Sequence, residues 1–164
     1  MLPLKIVSGG QTGVDRGALD AALEAGAACG GWCPANRSAE DGPIDERYPL
    51  TPLPSGGYPE RTRKNVSDSD GTLIIHFGKL EGGTALTEEY CRKIGKPCLS
   101  IDAPVMSTAD AAAAVAGFIR THGIAILNVA GPRASREPTA HEYACKVIRL
   151  LLEAISRSDN VTGQ

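Results

Sequence analysis

The chain has 164 residues, 42% of them hydrophobic and 22% charged, and a formal net charge of −2. That is enough apolar material for one cored domain and too little chain to expect two. The near-neutral balance offers no general polyanion-binding surface, so generic nucleic-acid binding is excluded and any recognition of phosphate has to be local.

Leu4 to Ser8 reads as a short buried strand, and Asp15 to Ala25 carries Ala18, Leu19, Ala22 and Leu23 at helical spacing before Gly26 closes the run. Ala28 to Cys33 is a second strand. Residues 34–59 hold six prolines and no sustained period, which predicts a lid-like loop inside the domain. A helix from Pro59 to Ser67 leads into the clearest central strand, Thr72 to Phe77. Next come a helix from Ala85 to Ile94, stopped by Gly95 and Pro97, and a strand from Cys98 to Ile101. Ser107 or Thr108 caps an alanine-rich helix that runs to Arg120 and ends at Gly123. Ile124 to Val129 is a further buried strand. The last helix begins near Pro138, with Tyr143, Ala144, Val147, Ile148, Leu151, Leu152 and Ile155 forming a wide apolar stripe. The domain therefore spans residues 3–155, and the polar residues 156–164 form a flexible tail.

Strands alternate with helices throughout, which predicts an α/β domain with a mostly parallel sheet covered on both faces. No apolar run approaches the roughly 20 residues of a membrane span, and the N-terminus shows no charged leader, so a cytoplasmic protein without membrane attachment is expected. Five cysteines at irregular spacing fit free thiols in a reducing compartment. No paired ligand motif follows Cys29 and Cys33, and no protein-ligated metal is predicted.

Ligands in such sheets sit beyond the carboxyl ends of the strands, where three glycine-bearing segments fall: Gly9 to Asp15, Gly78 to Thr84, and Ala130 to Arg136. In the first, Gly9, Gly10, Gln11, Thr12 and Gly13 lie between a strand and a helix, so their amides are candidates to cradle an anion. Gly82, Gly83 and Thr84 repeat the arrangement. Asp15 is either a helix cap or a ligand contact, and Arg16 beside it could reach a bound anion. Arg61 suits bidentate phosphate contact or is plain surface. Arg133 and, from the lid, Arg37 would add charge-assisted bonds. Thr87 offers a hydroxyl, His76 ends the central strand, and Asn128 and Gly131 flank the third loop. Glu88 and Glu89 lie where acids complement a helix dipole. No Ser/His/Asp order, nucleophile elbow or Walker loop is found.

Five blocks carry a resemblance: SGGQTGVDRGALDAAL (8–23), GGWCPANRSAEDGPI (30–44), RTRKNVSDSDGTLI (61–74), GGTALTEEYC (82–91) and NVAGPRASREP (128–138). Through them the chain resembles the putative molybdenum carrier family, within the Rossmann-like superfamily that holds the Lonely Guy phosphoribohydrolases. The first block is also similar to a segment of the bacterial DNA-processing protein A. The resemblance implies a three-layer Rossmann-like domain, self-association into a homo-oligomer, and a nucleotide-like, phosphate-bearing ligand at the glycine loops. The family's naming adds molybdenum cofactor as cargo. Lonely Guy enzymes cleave the N-glycosidic bond of nucleoside 5'-monophosphates with an arginine and a glutamate. Arg61 matches the arginine, but Thr87 stands at the glutamate's place and Glu88 is one position on, a rotation of about 100 degrees on a helix. A glycosidase of this kind would use Arg61, with Glu88 or Asp15 as acid or base. A non-catalytic interaction module with a vestigial pocket is a third reading.

Overall fold

Five apolar runs, each too short to hide both faces alone, pair into one parallel sheet. The computed structural model describes residues 3–162. In chain order the elements are β1 (Lys5–Val7), α1 (Val14–Glu24), β2 (Cys29–Gly30), β3 (Trp32–Cys33), β4 (Ser38–Ala39), β5 (Gly42–Pro43) and β6 (Thr51–Pro52). They continue with α2 (Tyr58–Asp68), β7 (Gly71–His76), α3 (Gly82–Ile94), β8 (Cys98–Asp102), α4 (Thr108–His122), β9 (Ile126–Ala130) and α5 (Ala140–Thr162). Single-turn 3-10 helices cover Ala35–Arg37 and Ala103–Val105.

The central sheet has the order β2-β1-β9-β7-β8, all parallel. From β1 the chain crosses outward to β2, and from β7 it crosses the other way to β8. Right-handed crossovers then place α1 and α3 on opposite faces. Helices α1, α4 and α5 pack together on one face, and α2 and α3 pack together on the other. This is the three-layer α/β arrangement the alternating pattern predicts. The core is built from fully buried Ile6, Leu73, Ile75, Ile101 and Leu127 of the sheet against Val14, Val115, Ile148 and Leu151 of the helices.

Several boundaries differ from the sequence reading. The predicted strand from Ala28 to Cys33 breaks at Gly31: β2 stays in the main sheet, whereas β3 turns away to pair with β6. Helix α3 begins at Gly82, a turn earlier than the apolar spacing suggests. Helix α5 runs on through residue 162, with residues 156–161 exposed, while Gly163 and Gln164, the end of the predicted tail, lie outside the described residues.

Residues 34–57 are folded down rather than hanging free. Ile44, Tyr48 and Leu50 are buried with Leu19 of α1 and Cys33 in a second small core. Arg37 braces the segment from inside, donating to the carbonyls of Ile44, Leu50, Asp45 and Tyr48 at 2.8–3.1 Å. The phenol of Tyr48 donates to Asp20 on α1 at 2.7 Å, and Asp20 also meets His141 of α5 at 2.7 Å.

Candidate functional site

The topology reverses direction around β9, and there the carboxyl ends of β1, β7 and β9 open into a cleft of about 490 Å³. A reversal point of this kind leaves two loops splayed apart with a gap between them. Gln11 and Asp15 form one wall, and Tyr58, Arg61 and Thr62 of α2 form the floor beside it. His76 and Phe77 close the end of β7, and Lys79, Glu81, Gly83, Thr84 and Thr87 continue along the start of α3. Gly131, Arg133, Arg136 and Glu137 complete the opposite side.

An ion pair lies at the base. Arg61 Nη1 donates to Asp15 Oδ2 at 2.8 Å, and the two side chains are 12% and 5% exposed. Asp15 also accepts the Gln11 amide at 3.2 Å. Burial pushes the Asp15 carboxyl above its ordinary value, and the Arg61 charge beside it pulls it back down. Arg61 lies 5.6 Å from the Tyr58 ring centroid, and its Nε is buried with no hydrogen-bond partner among the described residues. The arginine crosses so close to the first loop that a Cβ on Gly9 would stand 1.7 Å from Nη1.

The first glycine loop is wired differently from the expectation that its free amides face a ligand. The Gly10 amide reaches Ser8 Oγ, Gln11 donates to Asp15, Thr12 to Gln11 Oε1 and Val14 to the Pro132 carbonyl. Gly13 serves backbone contact too: its φ is +81°, and a Cβ there would lie 2.3 Å from Pro132 O. The amides of Gly10, Gln11, Thr12 and Val14 are taken up internally, and the loop braces β1 against the third segment, while the amides of Gly9 and Gly13 have no partner among the described residues. Gly9, Gly10, Thr12 and Gly13 do not line the cleft.

Glu40 of the folded-down segment, missed from sequence, locks that brace. Its carboxylate accepts from the Ser135 amide at 3.1 Å, the Ser135 hydroxyl at 2.5 Å and the Thr12 hydroxyl, with Arg133 Nε 3.5 Å away. These donors hold the Glu40 carboxyl below its usual range. Arg16 is engaged nearby, donating to Gly10 O at 3.0 Å and forming a two-pronged pair with Asp41. Arg16 and Arg37 therefore sit outside the cleft, committed to the protein's own acceptors.

The second loop keeps more of its capacity. Thr84 and Ala85 donate to the Glu81 carbonyl, while the amides of Gly82 and Gly83 have no partner among the described residues. Thr87 is buried, and its hydroxyl donates to Gly83 O at 2.8 Å. Glu88 pairs with Arg92 at 3.6 Å and does not line the cleft. Asn128 is buried inside the sheet, donating to Thr72 Oγ1 at 3.3 Å.

His76 Nδ1 carries a proton, since it meets the Gly78 carbonyl at 2.7 Å. Asp102, 3.8 Å from the same nitrogen, accepts the Gly78 amide at 2.8 Å and fixes this turn. The side chains of two cations on the cleft wall, Lys79 and Arg136, have no ion pair or hydrogen bond among the described residues. Neither stands out in the sequence, because each lies in a polar stretch with no period to mark it. Among the described residues no group of three or more His, Cys, Asp or Glu side chains is placed to hold a metal ion, and all five cysteines are free thiols. Among the same residues no helix is long and apolar enough to cross a membrane.

A parallel sheet in three layers, with a cleft at the carboxyl edge where the strand order reverses, defines a Rossmann-like α/β protein. Within that class the chain belongs to the circularly permutated YpsA SLOG family, whose model matches residues 6–152. Its fold is also similar to the crystal structure of the putative molybdenum carrier protein from Syntrophus aciditrophicus, with a TM-score of 0.89 and 45% sequence identity. The match covers 93% of this chain and 98% of that one. No curated protein matches the chain.

Proposed function

We propose that the protein is a carrier that holds a small phosphate-bearing or oxyanionic ligand in the cleft at the β1–β9–β7 edge, with molybdenum cofactor or a nucleotide derivative as cargo. The observation that carries this reading is the pair of unpartnered cations, Lys79 and Arg136, facing the open start of α3. Lysine and arginine pair with phosphate or molybdate oxygens through charge-assisted bonds, and a helix's first-turn amides add donors to the same anion. The cargo would be gripped through its anionic groups by Lys79, Arg136, Gly83 and Thr84, with Arg61 and Asp15 as a rigid floor. The name of the Syntrophus relative supports molybdenum as part of the cargo.

A glycosidase reading has less support. A carboxylate is needed beside the developing oxocarbenium charge, and the position that supplies it in the Lonely Guy enzymes is Thr87, whose hydroxyl is tied to its own helix. The carrier reading includes self-association and a cytoplasmic location; light scattering tests the first.

Native mass spectrometry and metal analysis of gently purified protein test the proposal directly. A copurifying phosphate-bearing or molybdenum-bearing molecule is expected. Replacing both Lys79 and Arg136 by alanine should strip it, and it should also abolish any rise in Tm on adding phosphate or molybdate. Release of free base from nucleoside monophosphates would overturn the carrier in favour of the glycosidase. Absence of any bound or stabilising anion would favour a vestigial pocket.

A further inference from the structure

His76 is the last residue of β7, and the sheet register sets it opposite Asp102 at the end of β8. The chain turns at once. Gly78, with a φ of +79°, brings its carbonyl back to His76 Nδ1 at 2.7 Å and its amide to Asp102 Oδ1 at 2.8 Å. A carbonyl can only accept, so Nδ1 holds the proton and the neutral ring keeps its lone pair on Nε2. Nε2 has no partner among the described residues, and it retains solvent access, since the enclosed unpartnered side-chain atom among them is Arg61 Nε. The side chain is 15% exposed and lines the cleft. A nucleophilic nitrogen is thus held rigidly on the cleft wall with nothing of the protein's own to bond.

The anion-gripping groups belong to the same connection between β7 and α3. Lys79 is three residues on from His76, so their Cα atoms are at most about 11 Å apart. Gly82 and Gly83 open α3 with unpartnered amides, and Arg136 Nη1 lies 3.7 Å from where a Cβ on Gly82 would stand. Two cations, two free amides and an open imidazole nitrogen therefore gather around one turn. Binding alone employs the cations and the amides. It leaves unexplained a ring whose tautomer is fixed and which has a carboxylate, Asp102, 3.8 Å from the nitrogen that carries the proton.

Resting on the anion-binding reading above, we infer that His76 is a catalytic residue whose Nε2 takes the phosphoryl group of an acyl phosphate bound in the cleft. The Nε2 lone pair forms the N–P bond, the P–O bond to the acyl group breaks, and its electron pair leaves on the carboxylate product. The ring keeps its Nδ1 proton and becomes a cation, which the nearby Asp102 carboxylate offsets. Lys79, Arg136 and the Gly82 and Gly83 amides hold the phosphoryl oxygens during the transfer. Water then attacks phosphorus, the electron pair of the N–P bond returns to Nε2, and inorganic phosphate and a proton are released. An acyl phosphate suits this site because its carboxylate leaving group is a weak base that departs without a proton, whereas the alkoxide of an alkyl phosphate needs an acid placed on it.

Incubating the intact protein with acetyl phosphate, followed by peptide mass spectrometry in base and phosphorus NMR, tests the step. A single phosphoryl group per chain, stable in base and lost in acid, is expected on His76, with acetate and phosphate as products. His76→Asn keeps a donor for the Gly78 carbonyl but has no Nε2; it should lose the adduct while binding inorganic phosphate as wild type does, measured by calorimetry. Asp102→Asn still offers the Gly78 amide an acceptor oxygen and should slow labelling without changing phosphate affinity. Lys79→Ala with Arg136→Ala should weaken phosphate binding and slow labelling at least about tenfold. His122→Asn, at the end of α4, should label as wild type does. Phosphate binding to wild type with no adduct, or an adduct that persists in His76→Asn, would overturn the transfer and leave the carrier reading intact. If neither phosphate nor acetyl phosphate bound at millimolar concentration, both would fall.

Discussion

Replacing Arg61 by alanine isolates the Asp15 carboxylate at the base of the cleft. Two unit charges 2.8 Å apart attract by about 6 kcal/mol at an effective dielectric of about 20, much of which offsets the cost of taking a nearly buried carboxylate out of water. Removing one partner of such a pair leaves the other uncompensated, which costs about 3–5 kcal/mol. For a chain of this length that lowers the Tm by roughly 6–20 °C. The pH dependence is the sharper signature. Burial already raises the Asp15 pKa, so the folded state binds a proton more tightly than the unfolded one; stability is greatest below the unfolded value and falls as pH rises through the folded value. Losing Arg61 removes the main influence that lowers this pKa and carries the folded value further up. The deficit of the variant relative to wild type should therefore be larger at pH 8 than at pH 5, measured by urea unfolding at both. A loss under about 1 kcal/mol with no change between the two pH values would refute the assigned role of the pair.

Gly9→Ala should reproduce the same pH signature at a cost of about 1–3 kcal/mol, because the new methyl displaces the Arg61 guanidinium; unfolding curves at two pH values check it. Glu40→Ala should release residues 34–57 from the Arg133–Ser135 turn, seen as faster limited proteolysis within that segment. In the wild-type chain the Glu40 carboxyl is held below its ordinary value, so its stabilisation is complete above that value and is lost as pH falls through the lowered one; proteolysis should accelerate on acidification in wild type and far less in the variant. Ser107→Ala removes the oxygen that accepts the Asp110 amide at the start of α4, and should cost about 1 kcal/mol, or roughly 2–4 °C in Tm by calorimetry.

What was legible in the sequence is what depends on neighbours in the chain. The alternation of buried strands with amphipathic helices fixes the layer arrangement. Gly95 and Gly123 stop α3 and α4 in the left-handed conformation, with φ of 70° and 62°, and Ser107 caps α4 through its side chain. Where contacts come from afar, local signals mislead. The glycines of the first loop look like the approach of a ligand, yet Gly9 admits Arg61 from 52 positions downstream and Gly13 admits the backbone at Pro132. The proline-rich stretch has no period because its order comes from Arg37 bonding to scattered carbonyls and from Ile44, Tyr48 and Leu50 docking on α1. Arg61, His76, Thr84 and Arg133 are brought together on the cleft wall. Lys79 and Arg136 lie in two of the segments the alternation places at the strand ends, but nothing in the local pattern singles out these side chains, and Glu137 falls just beyond the third segment.

The position of β9 has a bearing on biosynthesis. This strand lies between β1 and β7, pairing Lys5 with Ile126 on one side and Gly71 with Leu127 on the other. Until it emerges from the ribosome, β1–β2 and β7–β8 are two separate ribbons with nothing between them, and the cleft has no third wall. Insertion of a late central strand across more than a hundred residues of sequence favours slow, cooperative completion.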